Sequence, residues 1–440
     1  MLKQREVQRK ALQDSMKAVT AIEAKGEPKI GVEEFMSVCG RFGLSNQALK
    51  KIRAAVAKED WGAGAFLANY YCGLKESKVQ AFERVARETF GVKYALASSS
   101  GTGALHSAFV AAGAGPGTEV ICPAIGFFAT ASAVAVAGAT PVFCDVDASL
   151  HMDPAKIEPL ITKQTAAIAP TCVMGGVPRM DAIMKVARKH RLKVVEDCAQ
   201  SCGGRVKGRF VGTWGDLGCF SISAYKIVGG GEGGLVLTNS KRLWERANQL
   251  AEAGGLWRPD RFAPPRHEGE LFPGTNYRMS ELEAAVDVVQ LRKIPRVFRR
   301  FHTVKMRVLR RLKRFKEITP QPLNDVDGHV GYNIRFYPAD IALGEKIADG
   351  LRKLKLGAGM RGGKGGHDWH IYSYMYPLER IARIDRGTCP VADDLYDRVI
   401  TVGLNQWLSA ADCREIADRM NTVLSAYCTR DDDAPGWDVA

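Results

Sequence analysis

The sequence predicts an α/β protein with a large, mostly parallel sheet followed by a smaller α+β domain. Short apolar segments at residues 94–97, 119–122, 141–145, 166–171 and 193–196 alternate with helical segments. Strands that are apolar throughout and separated by helices are typical of a parallel sheet covered on both faces. Because ligands on such sheets bind at the carboxyl ends of the strands, the residues that follow these segments are candidates for a site.

The helical segments follow from periodicity and capping residues. Residues 77–90 are amphipathic and begin at Ser77, further helices begin near Thr102 and Ala129, and another covers residues 180–190. Two more helices, at residues 2–25 and 32–58, are predicted to form an N-terminal extension over residues 1–60, split by a Gly-Glu-Pro breaker at 26–28. The sequence assigns no chemistry to this extension.

The composition excludes several classes of protein. The chain has 440 residues, which allows two or three domains, and its hydrophobic content of 46% is ordinary for a globular protein. No apolar run approaches the ~18–20 residues of a membrane span, and the charged N-terminus is unlike a signal peptide. Eleven scattered cysteines without a C-x-x-C pair predict a reduced, cytoplasmic protein with neither disulfides nor a metal site.

The net charge of +14 raises the question of a nucleic-acid partner. The densest basic run, residues 296–316, has apolar residues at helical spacing, so its arginines and lysines cover the opposite face. We interpret this run as a solvated helix face rather than a nucleic-acid groove. A basic protein also attracts anionic substrates at long range.

Most of the candidate catalytic and binding residues lie between residues 193 and 238. An apolar strand ends on Asp197, and the polar amide of Gln200 follows. A second strand then leads through Ser221 and Ser223 to Lys226 and a glycine-rich turn. The aldehyde cofactor pyridoxal phosphate (PLP) needs a carboxylate at its ring nitrogen, a lysine for its aldehyde, and N–H and hydroxyl donors for its phosphate. Each residue alone could be a strand cap, a surface lysine or a turn residue, but the combination predicts a PLP site.

A second candidate segment follows the strand at residues 94–97. Here Ser100, Gly101 and Thr102 precede a helix, so free backbone N–H groups and a hydroxyl lie where an anion can bind. The alternative is a plain helix cap. Because this loop, Asp197 and the residues after Pro123 all follow strands, we expect them to meet at one edge of the sheet.

These segments resemble the DegT/DnrJ/EryC1/StrS family of PLP-dependent sugar aminotransferases over about residues 80–425. The family's D-x-x-Q pattern stands at 197–200, and its F-S-x-x-x-x-K-x-x-x-x-G-E-G-G pattern runs from Phe220 through Lys226 to Gly234. The patterns S-G-T-x-A-L and G-x-N-Y-R-M-S match residues 100–105 and 274–280. The resemblance implies the aspartate-aminotransferase fold, fold type I of the PLP-dependent transferases.

The resemblance also implies a role for each residue at the cofactor ring. Lys226 would hold the cofactor and act as the general acid–base, Asp197 would keep the ring nitrogen protonated, and Gln200 would bond the ring oxygen. Phe127 would stack on the ring, with a buried core position as its alternative and Phe128 as the more typical core residue. Cys202 stands where many relatives have a histidine, which leaves the role of that position open.

A further set of residues would hold the phosphate. The resemblance implies that Gly101, Thr102 and Ser221 bond the phosphate, with Ser223 as another hydroxyl beside the lysine. In relatives, the asparagine that corresponds to Asn276 reaches the phosphate of the neighbouring subunit, so the resemblance implies a homodimer with shared active sites. The alternative for Asn276 is a cap on the helix that follows it, where Ser280 and Glu283 also suggest a capping box.

A large domain at residues 61–292 is predicted to be followed by a small domain at 293–428, which begins with the basic helix and a strand-like segment at 329–338. The segment 357–366 fits G-x-G-x-x-G, but a helical pattern precedes it, and Ala358 and Gly365 exclude a Walker loop. We interpret it as a mobile loop at the substrate mouth, near the His- and aromatic-rich residues 367–378. A strand and a long helix end the domain at 389–424, and residues 429–440 are predicted to be a disordered tail.

The sequence therefore predicts an aminotransferase that uses PLP to move an amino group from glutamate or glutamine to a keto sugar, often nucleotide-linked, or a keto cyclitol. The alternative is a regulatory or nucleic-acid-binding protein on an inactive transaminase fold, which the basic charge and the N-terminal helices suggest. The presence of both Asp197 and Lys226 favours the enzyme. The lysine also distinguishes the chain from the family's sugar dehydratases, in which a histidine replaces it.

Overall fold

The computed structural model describes residues 2–16, 28–62, 64–65, 67, 75–254, 272–360 and 368–437. The chain divides into two compact units, residues 1–74 and 75–440. The domain boundaries predicted at residues 60, 292 and 428 stay predictions. Within the described ranges, no helix is both long enough and apolar enough to cross a membrane.

The first unit is helical, with α1 at Leu2–Met16, α2 at Val32–Gly40 and α3 at Asn46–Val56. The predicted single helix at 32–58 is therefore wrong, because it is interrupted between α2 and α3. Gly43 adopts a left-handed φ of 68° after α2, and the Ser45 side chain accepts the Ala48 N–H to cap α3. The predicted helix at 2–25 is confirmed as far as Met16, and residues 17–25 lie outside the described residues.

The second unit is built first on a seven-stranded sheet. Its strands are β1 Tyr94–Ser98, β2 Glu119–Pro123, β3 Thr140–Cys144, β4 Thr165–Ile168, β5 Lys193–Asp197, β8 Leu217–Ser221 and β9 Gly234–Thr238. Between β5 and β8, the strands β6 Arg205–Val206 and β7 Arg209–Phe210 form a separate two-stranded hairpin. The strand order is β1-β9-β8-β5-β4-β2-β3, and β9 runs antiparallel to both of its neighbours. The remaining pairs are parallel, which confirms the mostly parallel sheet.

Helices cover both faces of this sheet. They are α4 Lys78–Phe90, α5 Gly101–Ala111, α6 Ala129–Val136, α7 Pro154–Ile157, α8 Met180–His190, α9 Lys241–Ala251 and α10 Glu281–Leu291. Neighbouring strand residues belong to different apolar clusters: Val195 is buried in one cluster, and Val194 is buried in the other. This alternation is expected, because successive side chains on a strand point to opposite faces.

The register brings the chemically interesting strand ends together. Strands β5 and β8 are parallel, so Asp197 is paired with Cys219, two residues before the end of β8 at Ser221. Gly234, the first residue of β9, pairs with both Ser221 and Ser98. The ends of β1, β5 and β8 therefore lie at one edge, as the sequence predicted.

A four-stranded antiparallel sheet follows. Its strands, in the order β10-β11-β13-β12, are β10 Ile318–Pro320, β11 Asn333–Pro338, β12 Ala358–Met360 and β13 Ile400–Gly403. Its helices are α11 Ile294–Leu309, α12 Ile341–Lys353, α13 Pro390–Arg398 and α14 Ala410–Tyr427. The basic helix α11 buries Val304 and Val308 in this core and exposes Arg296 and Arg307, as predicted for a solvated face. Lys305 departs from the prediction, because it is buried on the apolar side of the helix.

Two predictions about this part of the chain are wrong. Residues 358–360, predicted as loop, form the edge strand β12, while residues 361–367 lie outside the described residues. The C-terminal segment is packed rather than disordered as far as residue 437. The Trp437 ring is 5.5 Å from that of Phe336, and its Nε1–H donates to the Lys313 carbonyl at 2.9 Å. A buried tryptophan with a satisfied N–H is a strong anchor for a terminal segment.

Candidate active site

The carboxyl edge of the large sheet faces a cavity of about 500 Å³. The large sheet supplies Gln200 and Lys226 to its lining. Helix α11, strands β11 and β13 and the loops next to them close the opposite side with Phe301, Tyr332, Asn333, Arg335, Thr401 and Gln406. A concave site at this position, lined from two directions by polar and aromatic groups, is typical of a small-molecule site.

Asp197 is buried at the end of β5. Its Oδ2 accepts the Thr130 hydroxyl at 2.5 Å, and its Oδ1 accepts the Ala199 N–H at 3.0 Å. Burial raises the pKa of this carboxyl above its ordinary value, although both hydrogen bonds and the charge of Lys226 oppose the shift. A positively charged group in the site would therefore favour the ionised form of Asp197.

Lys226 lies in the connection between β8 and β9. Its backbone N–H donates to the Ser223 carbonyl at 2.9 Å, which holds the residue in a tight turn. Burial lowers the pKa of its amine, and the negative charge of Asp197 acts in the opposite direction. The amine and the carboxylate therefore lie close enough to interact electrostatically, which places two predicted site residues together.

The loop before α5 forms a cradle at the same edge. Ser100 caps the helix by accepting the Gly103 N–H at 3.0 Å, and Thr102 is exposed in the first turn. A Cβ on Gly101 would lie 2.6 Å from the Ser221 Cβ, so only a glycine allows the two chain segments to approach this closely. The structure thus brings Gly101, Thr102 and Ser221 together where a helix N-terminus favours an anion.

Gln200 is oriented by a residue that the sequence did not reveal. Its Oε1 accepts the Met174 N–H at 2.6 Å, which leaves its amide nitrogen as the donor. Met174 adopts a left-handed φ of 50°, and its carbonyl accepts the Asn333 Nδ2 at 2.9 Å. Non-glycine residues in this conformation often mark functional sites, and this one connects the large sheet to the second sheet.

The two phenylalanines after Pro123 separate as predicted. Phe127 is 44% exposed, and its ring lies 5.2 Å from that of His370, which lines the cavity. Phe128 packs against the core and against the ring of Trp369 at 4.7 Å. The Gly126 N–H donates to the His370 carbonyl at 2.9 Å, so the His- and aromatic-rich segment does lie at the mouth.

Asn276 is exposed and does not cap α10. Its side-chain oxygen accepts the Arg278 N–H at 3.1 Å, whereas the Ser280 hydroxyl caps the helix by accepting the Glu283 N–H at 3.1 Å. The capping alternative for Asn276 is therefore wrong. The Ser99 N–H donates to the carbonyl of the adjacent Tyr277 at 2.7 Å, so this segment runs beside the cradle.

Cys202 is part of the core. It is 1% exposed, packs among buried apolar residues, and burial raises the pKa of its thiol to about 12. A thiol with this pKa stays protonated and behaves as a small apolar group. The structure thus gives Cys202 a packing role.

Several residues of the site were missed by sequence reasoning. Thr130 contacts Asp197 from α6, and Arg335 lies in the cavity wall on β11, where its Nε–H donates to the Thr401 hydroxyl at 3.2 Å. Asn333 and Arg335 are two apart on an otherwise apolar strand, so both point to the same face. This alternation was the sequence signal that could have revealed both residues, because it indicates one polar face on an otherwise buried strand.

Comparison with known proteins agrees with this geometry. The model of the DegT/DnrJ/EryC1/StrS aminotransferase family matches residues 71–421. GDP-perosamine synthase of Caulobacter vibrioides is 41% identical over 214 residues, which cover 48% of this chain and 56% of that protein. An L-glutamine:2-deoxy-scyllo-inosose aminotransferase of Streptoalloteichus tenebrarius is 39% identical over 224 residues, 50% of this chain and 53% of that protein. The chain thus matches about half the length of these relatives.

Solved structures resemble the chain over a longer range. An aminotransferase from Psychrobacter cryohalolentis superposes with a TM-score of 0.69 at 27% identity and covers 82% of this chain and 93% of its own. A 3-amino-5-hydroxybenzoic acid synthase gives a TM-score of 0.69 at 25% identity, with 79% and 91% covered. These likenesses confirm the predicted fold class. The chain belongs to the DegT/DnrJ/EryC1/StrS aminotransferase family, as its motifs predicted.

Proposed function

We propose that this chain is a PLP-dependent aminotransferase that moves an amino group to a keto sugar or keto cyclitol. The observation that carries the proposal is a buried Asp197 carboxylate within electrostatic range of the Lys226 amine, beside an anion cradle at the same sheet edge. Family membership and the names of the relatives agree with it.

The residues present fit the cofactor. Asp197 is 3% exposed and has a raised pKa, so its ionised form needs a cationic partner, and a protonated ring nitrogen would be one. Gly101 and Thr102 lie at a helix N-terminus, where backbone N–H groups and a hydroxyl would hold the phosphate with Ser221. When bound, PLP supplies an electron sink for the bond that reacts.

The chain's own groups would then do the following. Lys226 would hold the cofactor through its Nζ and afterwards move a proton at the reacting carbon, a task helped by the burial that lowers its pKa. Gln200, fixed by Met174, would donate from its amide nitrogen. Phe127 would cover a ring face, and Ser223 would offer a second hydroxyl beside the lysine.

The test is direct. Purified protein should be yellow and should lose that colour when glutamate or glutamine is added alone, since the first half of transamination needs no acceptor. Colourless protein that shifts labelled DNA would instead favour the regulatory alternative.

The described cysteines are free, and most are buried, which supports a reducing compartment, the cytoplasm.

Charge in the cavity wall supports the choice of donor. Arg335 and Lys226 both line the cavity, and glutamate and glutamine carry a carboxylate that a guanidinium binds well. One relative is named for its use of L-glutamine. A donor screen on the yellow form separates the two amino acids.

The mouth of the cavity supports a nucleotide-linked acceptor. The Arg300 guanidinium lies 4.4 Å from the centroid of the Trp407 ring, and that tryptophan is 67% exposed. Their chain neighbours Phe301 and Gln406 line the cavity, so the pair lies at its rim. An exposed aromatic ring beside a cation can stack a base and attract a diphosphate.

Replacing Trp407 by alanine should therefore weaken the binding of GDP or UDP to the holoenzyme by roughly tenfold or more, because base stacking is lost. Titration calorimetry measures the effect, and Trp407→Phe, which keeps a ring, should retain most of the affinity. Inorganic diphosphate should bind the wild type and the Ala variant alike. If Trp407→Ala binds GDP and UDP as tightly as the wild type does, the stacking role is contradicted, and a free cyclitol becomes the better acceptor.

We also propose a homodimer with shared active sites, in which Asn276 serves the phosphate of the neighbouring subunit. Its exposure and the capping of α10 by Ser280 support this. Mixing inactive Lys226→Ala chains with Asn276→Asp chains tests it, because the added negative charge would repel a phosphate. In a shared dimer, one site carries both defects and one carries neither, so activity should reappear.

If Asn276 serves its own chain, each site of the mixed dimer carries one defect, and mixing restores nothing. Lys226→Ala chains mixed with wild-type chains provide the reference for subunit exchange. A lack of recovery despite demonstrated exchange would contradict the shared site.

A further inference from the structure

The connection that carries Lys226 is closed at its base by backbone hydrogen bonds. The Ile222 N–H donates to the Gly233 carbonyl at 2.8 Å, and the Ala224 N–H donates to the Gly231 carbonyl at 2.9 Å. The second bond belongs to an isolated bridge between Ser223 and Gly231, just beyond the β8–β9 pairing. The position of Lys226 at the tip therefore depends on where the glycine segment 230–233 is held.

Two carboxyl groups of α10 pack directly against that segment. Glu283 and Asp287 are four residues apart, so they lie on one face of the helix. A Cβ on Gly230 would lie 2.2 Å from the Asp287 Oδ1 and 2.9 Å from the Glu283 Oε1. A Cβ on Gly231 would lie 2.9 Å from the Glu283 Oε2. The absence of side chains on the loop is what lets the carboxyl groups reach its backbone.

Within the described residues, three of the four carboxyl oxygens of this pair lack hydrogen-bond donors. Asp287 is fully buried, and within the described residues neither of its oxygens, nor the Glu283 Oε1, has a hydrogen-bond donor. Asp287 is buried and Glu283 is half-buried beside it, so ionising both is unfavourable, because each charge opposes the other and burial deprives Asp287 of solvation. One proton between them supplies the missing donor and removes one charge.

We propose that Glu283 and Asp287 are positioning residues that share one proton and thereby hold the glycine segment 230–233, and with it Lys226, in place. The effect on turnover rests on the proposed function, whereas the shared proton does not. Burial, followed by the neighbouring Glu283, raises the pKa of Asp287 to about 8. The proton is then present at neutral pH and is lost in mildly alkaline solution.

The other charged group facing the pair comes from the loop itself. Burial raises the pKa of Glu283, the backbone N–H of Glu232 donates to that carboxylate and opposes the shift, and the charge of Glu232 raises the pKa further. Helix α4 contacts α10 through the Lys78 and Val79 N–H groups, which donate to Glu281 at 2.8 and 3.1 Å. Among the described residues of α4, no charged side chain shifts the pKa of Glu283 or Asp287.

Asp287→Asn is the decisive variant, because an amide donates to Glu283 as the protonated acid would but cannot lose its proton. In the wild type, this acid has a folded pKa above its unfolded value of 3.8, so it contributes stability at low pH that is lost as pH rises to about 8. The melting temperature of the Asn variant relative to wild type should therefore rise over that interval. The alkaline limb of kcat should move up by about one pH unit or more.

Glu283→Gln places the amide donor on the other residue of the pair, where it can donate to Asp287. This variant replaces Asp287→Asn if the Asn variant does not fold. Glu345→Gln, at an exposed position on α12, is the matched control and should reproduce the wild-type profiles. A pH dependence of the melting temperature in Asp287→Asn identical to that of wild type would overturn the shared proton. A changed melting profile with an unmoved kcat limb would overturn the positioning role. Because the melting profile needs no turnover, a chain without transaminase activity would still decide the first point.

Discussion

Lys226→Ala should abolish turnover while leaving the fold intact. The lysine occupies a loop whose backbone bonds do not involve its side chain, so the variant should keep the wild-type melting temperature within a few degrees. Loss of a general acid–base alone costs about 10²–10⁴ in rate, and loss of the attachment point for the cofactor adds to that cost. Single-turnover kinetics with an amino donor measure the effect.

Borohydride fixes the cofactor covalently to the lysine that holds it, so peptide mapping of the reduced wild type should locate it on the peptide containing Lys226. Lys353→Ala provides the control, because that lysine has a side chain 76% exposed on α12 and should retain full activity. Recovery of the label on any other lysine would refute the assignment.

Asp197→Asn should lower the rate by on the order of 10²-fold or more, since the shape is kept and a preorganised charge is removed. The amide cannot supply the negative charge that keeps a ring nitrogen protonated. Its oxygen can still accept the Ala199 N–H, and its amide N–H can donate to the Thr130 hydroxyl oxygen, which turns to accept, so the fold should survive. The absorbance spectrum of the bound cofactor and kcat are the two readouts.

The adjacent Glu196 offers a matched control. It is also buried, but successive strand residues face opposite sides, and its oxygens accept the Gly212 and Gly215 N–H groups at 2.8 and 2.7 Å. Glu196→Gln removes a neighbouring charge without touching the site, so its spectrum and rate per folded molecule should match wild type. An Asp197→Asn enzyme within a few-fold of wild type would mean that another group holds the ring nitrogen.

The sequence predicted the large sheet well because its signals are local. Strands such as β2 and β5 are short apolar runs bounded by turns, and α8 was predicted at its observed bounds. The short strand β10 and helix α13 were not predicted. Strand β10 has three residues, too few for a period, and both elements are defined by what they pack against.

The candidate site divides in the same way. Asp197, Gln200 and Lys226 follow strand ends and carry a motif, so sequence reasoning found them. Thr130 and Asn333 could not be found this way, because their contacts join residues 67 and 159 positions apart. Those contacts exist only once the strand order and the second sheet are known.

The glycine segment behind Lys226 also sets limits on how this protein could be redesigned. Side chains at 230 and 231 would collide with the carboxyl groups of α10 and displace them, so variants there should disturb the loop that carries Lys226. The opposite wall of the cavity is more open to change, because Tyr332, Thr401 and Gln406 come from separate loops and strands. Libraries intended to alter the proposed acceptor should vary that wall and leave the lysine side untouched.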